Sequence, residues 1–174
     1  MDAHIKTDRL NLRFVTEADV DAIQQCIVDP RIYEMVGRIP ANQPRTATVD
    51  WISTHKAGRD AKTDFVYAII LKTELIGLVG VHRPKPSDLF EIGFWMSPNV
   101  WGKGYVTEAS KAVLQSLENS MGPQKTVSGY FKDNPASGRV LEKLGYVQID
   151  ENEMHCAGRN KTLPHIIVER DACS

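Results

Sequence analysis

Three short stretches carry side chains able to do chemistry. The first, SPNVWGKGYVTEA at residues 97–109, sets Gly102 and Gly104 around Lys103 and passes at once into a helical pattern. The second, LFEIGFWM, holds Glu91 between Phe90 and Ile92 in a β-rich run. The third, NPASGRVLEKLGY, sets Asn134 and Ser137 one helical turn apart, with Arg139 and Lys143 four residues apart behind them. A glycine turn feeding a helix presents successive N–H groups with the helix dipole behind them, and such a turn holds phosphate oxygens. A carboxylate in a cleft has a raised pKa and can take a proton through water; on an alternating strand it can equally face solvent. Asn134 can cap a helix. His82, His155 and His165 are single histidines on expected strands or their ends. Their pKa near neutrality makes them base candidates, with His82 in reserve should Glu91 prove remote, although a lone histidine is more often structural.

The glycine turn admits three readings. Glycine is the ordinary solution to a tight strand-to-helix bend. A nucleotide P-loop fails, because Lys103 is followed by glycine and not by Ser or Thr. A dinucleotide fingerprint fails too: its third glycine would fall on Thr107, and the strands before it read as a meander, not a βαβ unit. A pyrophosphate cradle of another kind remains.

The elements that must position these groups follow from periodicity. RLNLRFV alternates as a strand, Thr16 reads as an N-cap, and Val20, Ile23 and Ile27 mark a helix to about Asp29. Pro30 opens a short helix through RIYEMVG, and TATVDWISTHKAGRD is a further helix ended by Gly58. DFVYAIIL and ELIGLVGVH make a hairpin across Lys72 to Glu74; after the loop RPKPSD, LFEIGFWM is a third strand. A helix is expected from about Lys103 to Asn119, then the strand KTVSGYF, then a helix capped by Asn134 and stopped by Gly145. Strands at Tyr146 to Ile149 and in LPHIIVER close the chain. The fold class is α/β with a mixed, mostly antiparallel sheet, organised as a single domain over residues 1–174.

Composition narrows the function. A net charge of −1 argues against a general nucleic-acid binder. No apolar run reaches the length of a membrane span, and MDAHIKTDRL lacks a signal-peptide core. Cys26, Cys156 and Cys173 have neither disulfide nor metal-ligand spacing; free thiols in a reducing cytoplasm and no metal are expected.

EIGFWMSPNVWGKGYVTEA followed by DNPASGRVLEKLGY closely resembles the GNAT superfamily of acyl-CoA-dependent N-acetyltransferases, in its RimJ/RimL-like, ribosomal-protein-alanine acetyltransferase branch. The opening DRLNLRFVTEADVDAI and the closing AGRNKTLPHIIVER extend the likeness over nearly the whole chain. The resemblance implies a central sheet of about seven strands with helices on both faces. It implies acetyl-CoA as cosubstrate, direct attack in a ternary complex, and an amine acceptor that is a protein N-terminus or a small molecule, in a monomer or homodimer. The family loop Q/R-x-x-G-x-G/A falls on Trp101, Gly102, Lys103, Gly104, Tyr105 and Val106, with Val106 a departure from its last position and Thr107 a further hydroxyl donor. By resemblance the backbone of Phe94, Trp95 and Met96 meets pantetheine, Asn134 contacts the same arm, and Arg139 reaches the 3′-phosphate. Glu91 falls at the general-base position of some members. The tyrosine acid of many members is replaced by Leu141, and Ser137 is the branch's substitute. The rival reading is a module that binds acyl-CoA without turning it over.

Overall fold

The computed structural model describes residues 1–85 and 88–172; Pro86 and Ser87 of the RPKPSD loop, and Cys173, lie outside the described residues. Eight strands form one sheet in the order β1 (His4–Lys6), β2 (Asn11–Phe14), β3 (Asp64–Leu71), β4 (Glu74–His82), β5 (Phe90–Met96), β6 (Thr126–Phe131), β8 (Lys161–Arg170), β7 (Val147–Cys156). Every neighbouring pair is antiparallel except β5 with β6. The mixed, mostly antiparallel sheet agrees with expectation, with one strand more than seven. The extra strand is β1, too short to alternate legibly.

Alternation divides each strand between two cores. Phe65, Tyr67, Val79, Val81, Phe90 and Ile92 face α4 (Tyr105–Met121), whose Ala109, Val113, Leu114 and Leu117 are buried against them. Val66, Ala68 and Leu78 face the other way, onto α1 (Val20–Ile27) and α3 (Arg45–Asp60) through Ile23, Ile27 and Ile52. Helices therefore cover both faces. The α1/α3 layer stops at β4, and the same face of β5, β6 and β8 is left for a cavity.

Several boundaries differ from expectation for local reasons. The segment after Thr16 begins as a 3-10 turn, Glu17–Asp19, because the Asp19 carboxylate accepts from the Thr16 N–H at 2.8 Å and from Arg13 Nη1 at 2.7 Å. Helix α1 stops at Ile27, and Asp29 instead caps α2 (Pro30–Tyr33), accepting from the Arg31 N–H. Gly58 does not end α3; it lies within the helix, where an added Cβ would come within 2.5 Å of the Asp64 Cβ. Helix α4 starts at Tyr105, not Lys103, because Gly104 holds φ +77°. Strand β7 runs on to Cys156, well past Ile149. As the sheet's edge strand it turns mostly exposed polar residues to solvent, so its sequence carries little apolar alternation.

Candidate active site

The two parallel strands part almost as soon as they meet. β5 and β6 pair only at Phe90 with Thr126 and Glu91 with Val127, and the Ser128 hydroxyl then donates to the Ile92 carbonyl at 2.8 Å. Beyond that point a cavity of about 650 Å³ opens, lined by Gly93, Phe94, Trp95, Gly129, Tyr130, Ser137 and His165 among others. The Ser97 N–H donates to the Ile76 carbonyl, which fixes the antiparallel phase of β5 against β4. Residues 93, 95 and 97 thus aim their backbone groups at β4, while residues 92, 94 and 96 aim theirs at the opening. Two corrections follow. The Trp95 backbone faces away from the opening, and only its indole reaches the cavity. The Met96 carbonyl is already taken by Trp101 Nε1 at 2.7 Å, so the Phe94 backbone and the Met96 N–H are the groups that face the opening without a backbone partner among the described residues.

At the end of β5 the chain makes the glycine turn. Gly102 and Gly104 have φ of +76° and +77°, a left-handed conformation that side-chain-bearing residues adopt at a cost of roughly 1–2 kcal/mol. An added Cβ at Gly102 would meet nothing within 4 Å, so conformation, not space, requires glycine there. The first helical bond of this turn runs from the Glu108 N–H to the Gly104 carbonyl at 3.0 Å. The N–H groups of Tyr105, Val106 and Thr107 make no backbone bond among the described residues. Three such donors ahead of a 17-residue helix fit a diphosphate. Val106 packs its side chain toward the α4 core, so it leaves that donor clear. The exposed Lys103 side chain adds charge at the turn.

Arg9, from the turn ahead of β2, braces this loop, a role sequence reasoning missed. Its Nη1 donates to the Lys103 carbonyl at 2.9 Å, its Nε donates to Glu108 Oε2 at 2.6 Å, and its guanidinium stacks 4.5 Å from the Tyr105 ring centre. Thr7 Oγ1 donates to the other Glu108 oxygen. Burial pushes the Glu108 carboxyl up, but these bonds together hold it below its ordinary range. The one acid in the first turn is thereby neutralised beside the anion cradle. No spacing rule links residue 9 to residue 108.

Across the opening stands α5 (Pro135–Lys143), set close to β6 because Gly138 has no Cβ to strike the Tyr130 ring. Asn134 Oδ1 caps the helix by accepting from the Ser137 N–H at 3.2 Å. Its Nδ2 donates to Ser137 Oγ at 3.0 Å. The asparagine thus holds the serine hydroxyl as an acceptor and leaves its proton for a group in the cavity. Leu141 is buried in the core, where no acid could act. Arg139 is exposed on the same helix.

Glu91 differs from expectation in its titration. It sits directly across from His82 on the α1/α3 face, with Oε2 3.4 Å from His82 Nε2. The His82 imidazole 3.4 Å away, with Arg38 and His165 assisting, holds the Glu91 carboxyl below its usual value in spite of burial. It is an anion at neutral pH, not a carboxyl poised to exchange a proton. His82 is its partner rather than an independent base. His155 lies apart on β7, exposed and away from the cavity lining.

The roof of the cavity is the segment after α2, which is tied to the β7–β8 turn. The Ala157 N–H donates to the Gly37 carbonyl at 2.9 Å, and the buried Cys156 thiol faces the carbonyls of Tyr33, Glu34 and Val36 at 3.5–3.9 Å. Gly158 presses on the Tyr33 carbonyl so closely that a Cβ would lie 2.1 Å from it. Met35, Val36 and Arg38 of this strap line the cavity together with Trp95 and His165.

Residues 9–147 match the family model of the acetyltransferase (GNAT) domain. The chain belongs to the GNAT acetyltransferase family and is, by class, an acetyl-CoA-dependent acetyltransferase. Among particular relatives it is 28% identical over 145 residues to the uncharacterized N-acetyltransferase YoaA of Bacillus subtilis, covering 82% of this chain and 81% of that protein. It is also 28% identical over 83 residues to the ribosomal-protein-serine acetyltransferase of Escherichia coli, covering 47% of this chain and 46% of that one. In fold it resembles RimL bound to coenzyme A (TM-score 0.86, 16% identity, 97% of this chain and 98% of that one). A second solved neighbour is the self-immunity acetyltransferase MccE with acetyl-CoA and AMP (TM-score 0.82, 17% identity, 95% and 93%).

Proposed function

We propose that this enzyme transfers an acetyl group from acetyl-CoA to a primary amine by direct attack in a ternary complex. The observation that carries the reading is the pairing of the parted β5/β6 strands with the unbonded N–H groups of residues 105–107 at one end of the gap. The gap suits an amide-bearing pantetheine chain and the cradle suits its diphosphate. In this reading Gly102, Lys103, Gly104, Tyr105, Val106 and Thr107 hold the diphosphate, with Trp101 bracing the loop from Met96. Phe94 and the Met96 N–H bond the pantetheine arm, and Arg139 meets the 3′-phosphate.

For the chemistry, the amine nitrogen forms a bond to the thioester carbon, and the C–S bond then breaks with its electron pair left on sulfur. The Phe94 N–H polarises the carbonyl oxygen. Ser137, its oxygen held by Asn134, gives its proton to the departing thiolate and is reprotonated from solvent. The Glu91 anion draws the acceptor's ammonium form to the cavity, where it gives one proton to solvent, so that the amine attacks as the neutral form with its lone pair free.

The acceptor is a primary amine, a protein N-terminus or a small molecule, reaching the cavity beside the strap that contributes Met35, Val36 and Arg38 to its lining. A solved neighbour from Salmonella typhimurium is described as modifying the N-terminal serine of a ribosomal protein, which supports the first alternative (TM-score 0.85, 16% identity, 98% of this chain and 99% of that one). Cys26 and Cys156 are free thiols, as suits a reducing cytoplasm. Calorimetric titration with acetyl-CoA, beside NAD and ATP, tests the reading: selective acetyl-CoA binding is expected, and its absence overturns it. An acceptor panel of free-N-terminus peptides and small amines then separates an enzyme from a module that binds acyl-CoA without turnover. The latter is favoured only by the replacement of the tyrosine acid with Leu141.

A further inference from the structure

We infer that His165 is the general base that takes the proton from the attacking amine, and that Gly129 and Asn152 position it. The inference rests on the acyl-transfer reading above. His165 lies on β8 opposite Phe131 of β6, on the acceptor side of the sheet, and its ring leans back over Gly129 where β5 and β6 part. A Cβ at residue 129 would lie 2.2 Å from His165 Cε1 and 2.5 Å from Nε2, so glycine is what admits the ring. In this inference Asn152 on β7 sets the tautomer: with its Oδ1 3.2 Å from Nδ1, the proton is carried on Nδ1 and donated to that oxygen. Nε2, over Gly129 on a ring that lines the cavity, then carries the lone pair, with no hydrogen-bond partner among the described residues. The edge of the Phe131 ring, 5.7 Å from the imidazole, holds the third side.

The charged groups around it are Glu91 on β5 and, through Glu91, His82 on β4 and Arg38 on the strap; Arg159, paired with Asp133, lies beyond Phe131. Burial lowers the imidazole pKa below its ordinary 6.5, while the Glu91 anion pulls it part of the way back. The ring is therefore neutral at pH 7. Glu91, held ionised by His82, is the weaker base of the two. As the amine's lone pair joins the thioester carbon, the nitrogen becomes cationic, and one of its protons passes to Nε2. The imidazolium later releases that proton to water.

Imidazole NMR and steady-state kinetics test this. In the unmodified protein without ligand, His165 should carry its proton on Nδ1 and titrate below 6.5; protonation on Nε2 at neutral pH overturns the inference. With saturating acetyl-CoA and an Ala-headed peptide, a Ser-headed peptide and phenethylamine as probes, His165→Gln should bind acetyl-CoA as before. Its kcat should fall by about a hundredfold or more, and the acid limb of the kcat–pH profile should disappear. Gly129→Ala, which displaces the ring without removing it, should reproduce both losses. Glu91→Gln should move the acid limb to lower pH, since the charge that raises the imidazole pKa is gone. A His165→Gln enzyme with wild-type kcat and an unchanged acid limb overturns the base assignment alone. Failure of the unmodified protein to bind acetyl-CoA overturns the acyl-transfer reading beneath it.

Discussion

The two sides of the β5/β6 opening are built on different plans. The side that carries the glycine turn is made of main-chain groups: the N–H donors of residues 105–107 and, on the open edge of β5, the Phe94 backbone and the Met96 N–H. The opposite side is made of side chains gathered from distant places, with Glu91 from β5, His82 from β4, Arg38 from the strap and His165 from β8. A main-chain site binds the same ligand whatever the neighbouring side chains, and it depends on conformation. A side-chain site can change its acceptor through single substitutions, and it depends on how far-apart segments are tied together.

Four substitutions break or sharpen that contrast. The largest effect is expected of Ser137→Ala, which removes a proton donor while leaving the main-chain site intact. Its kcat should fall by about a hundredfold with acetyl-CoA affinity unchanged, as stopped-assay kinetics beside calorimetry would show. An unaltered kcat would remove Ser137 from the chemistry. Next comes Gly104→Val, which forces a branched side chain into φ +77°. Acetyl-CoA affinity should drop by about tenfold or more, about 1.4 kcal/mol, by calorimetry. Wild-type affinity there would mean that the turn is not the anion site.

Gly158→Ala addresses the other side. Its Cβ meets the Tyr33 carbonyl, so the strap must shift, at a cost of about 1–3 kcal/mol in urea unfolding. The acceptor KM should rise by a few fold while acetyl-CoA affinity holds; a parallel loss of both would show the two sides to be mechanically one. The smallest effect belongs to Asp19→Asn, remote from both sites. Burial pushes the Asp19 carboxyl up, but bonds from Arg13 and the Thr16 amide hold it below 3.8. The stability it contributes is therefore full above pH 3.8 and lost as pH falls through the lower folded-state value. Urea midpoints between pH 5 and pH 3 should fall less steeply in the variant than in the unmodified protein, with neither ligand parameter altered.

The same contrast governs what could be read from the sequence. The glycine turn, the cap at Asn134 and the strands flanking the opening are local patterns, and all were legible. So was the sheet's mixed character, since β3, β4 and β5 follow one another with short connections. Arg9 bracing Lys103, and Gly129 making room for His165, join residues far apart in the chain, and no periodicity carries that information. Glu91 shows the limit most clearly. Its placement on the strand was readable, but its expected raised pKa was not met, because His82 stands opposite it only once β4 and β5 are in register. Gly58 and Gly129 carry a related lesson: in this chain a glycine marks a close neighbour more often than a left-handed turn, and only the fold tells which.

The two-pair contact between β5 and β6 has a mechanical consequence. It makes the sheet two plates, β1 to β5 and β6 with β8 and β7, joined at a short hinge and otherwise bridged by helices and the strap. A pantetheine arm bonded to β5 would stand in for the missing rungs of that ladder. Cosubstrate binding should then slow amide hydrogen exchange at Phe94 and Met96 and stiffen the hinge, so that the enzyme is most nearly whole as a sheet only while it is loaded.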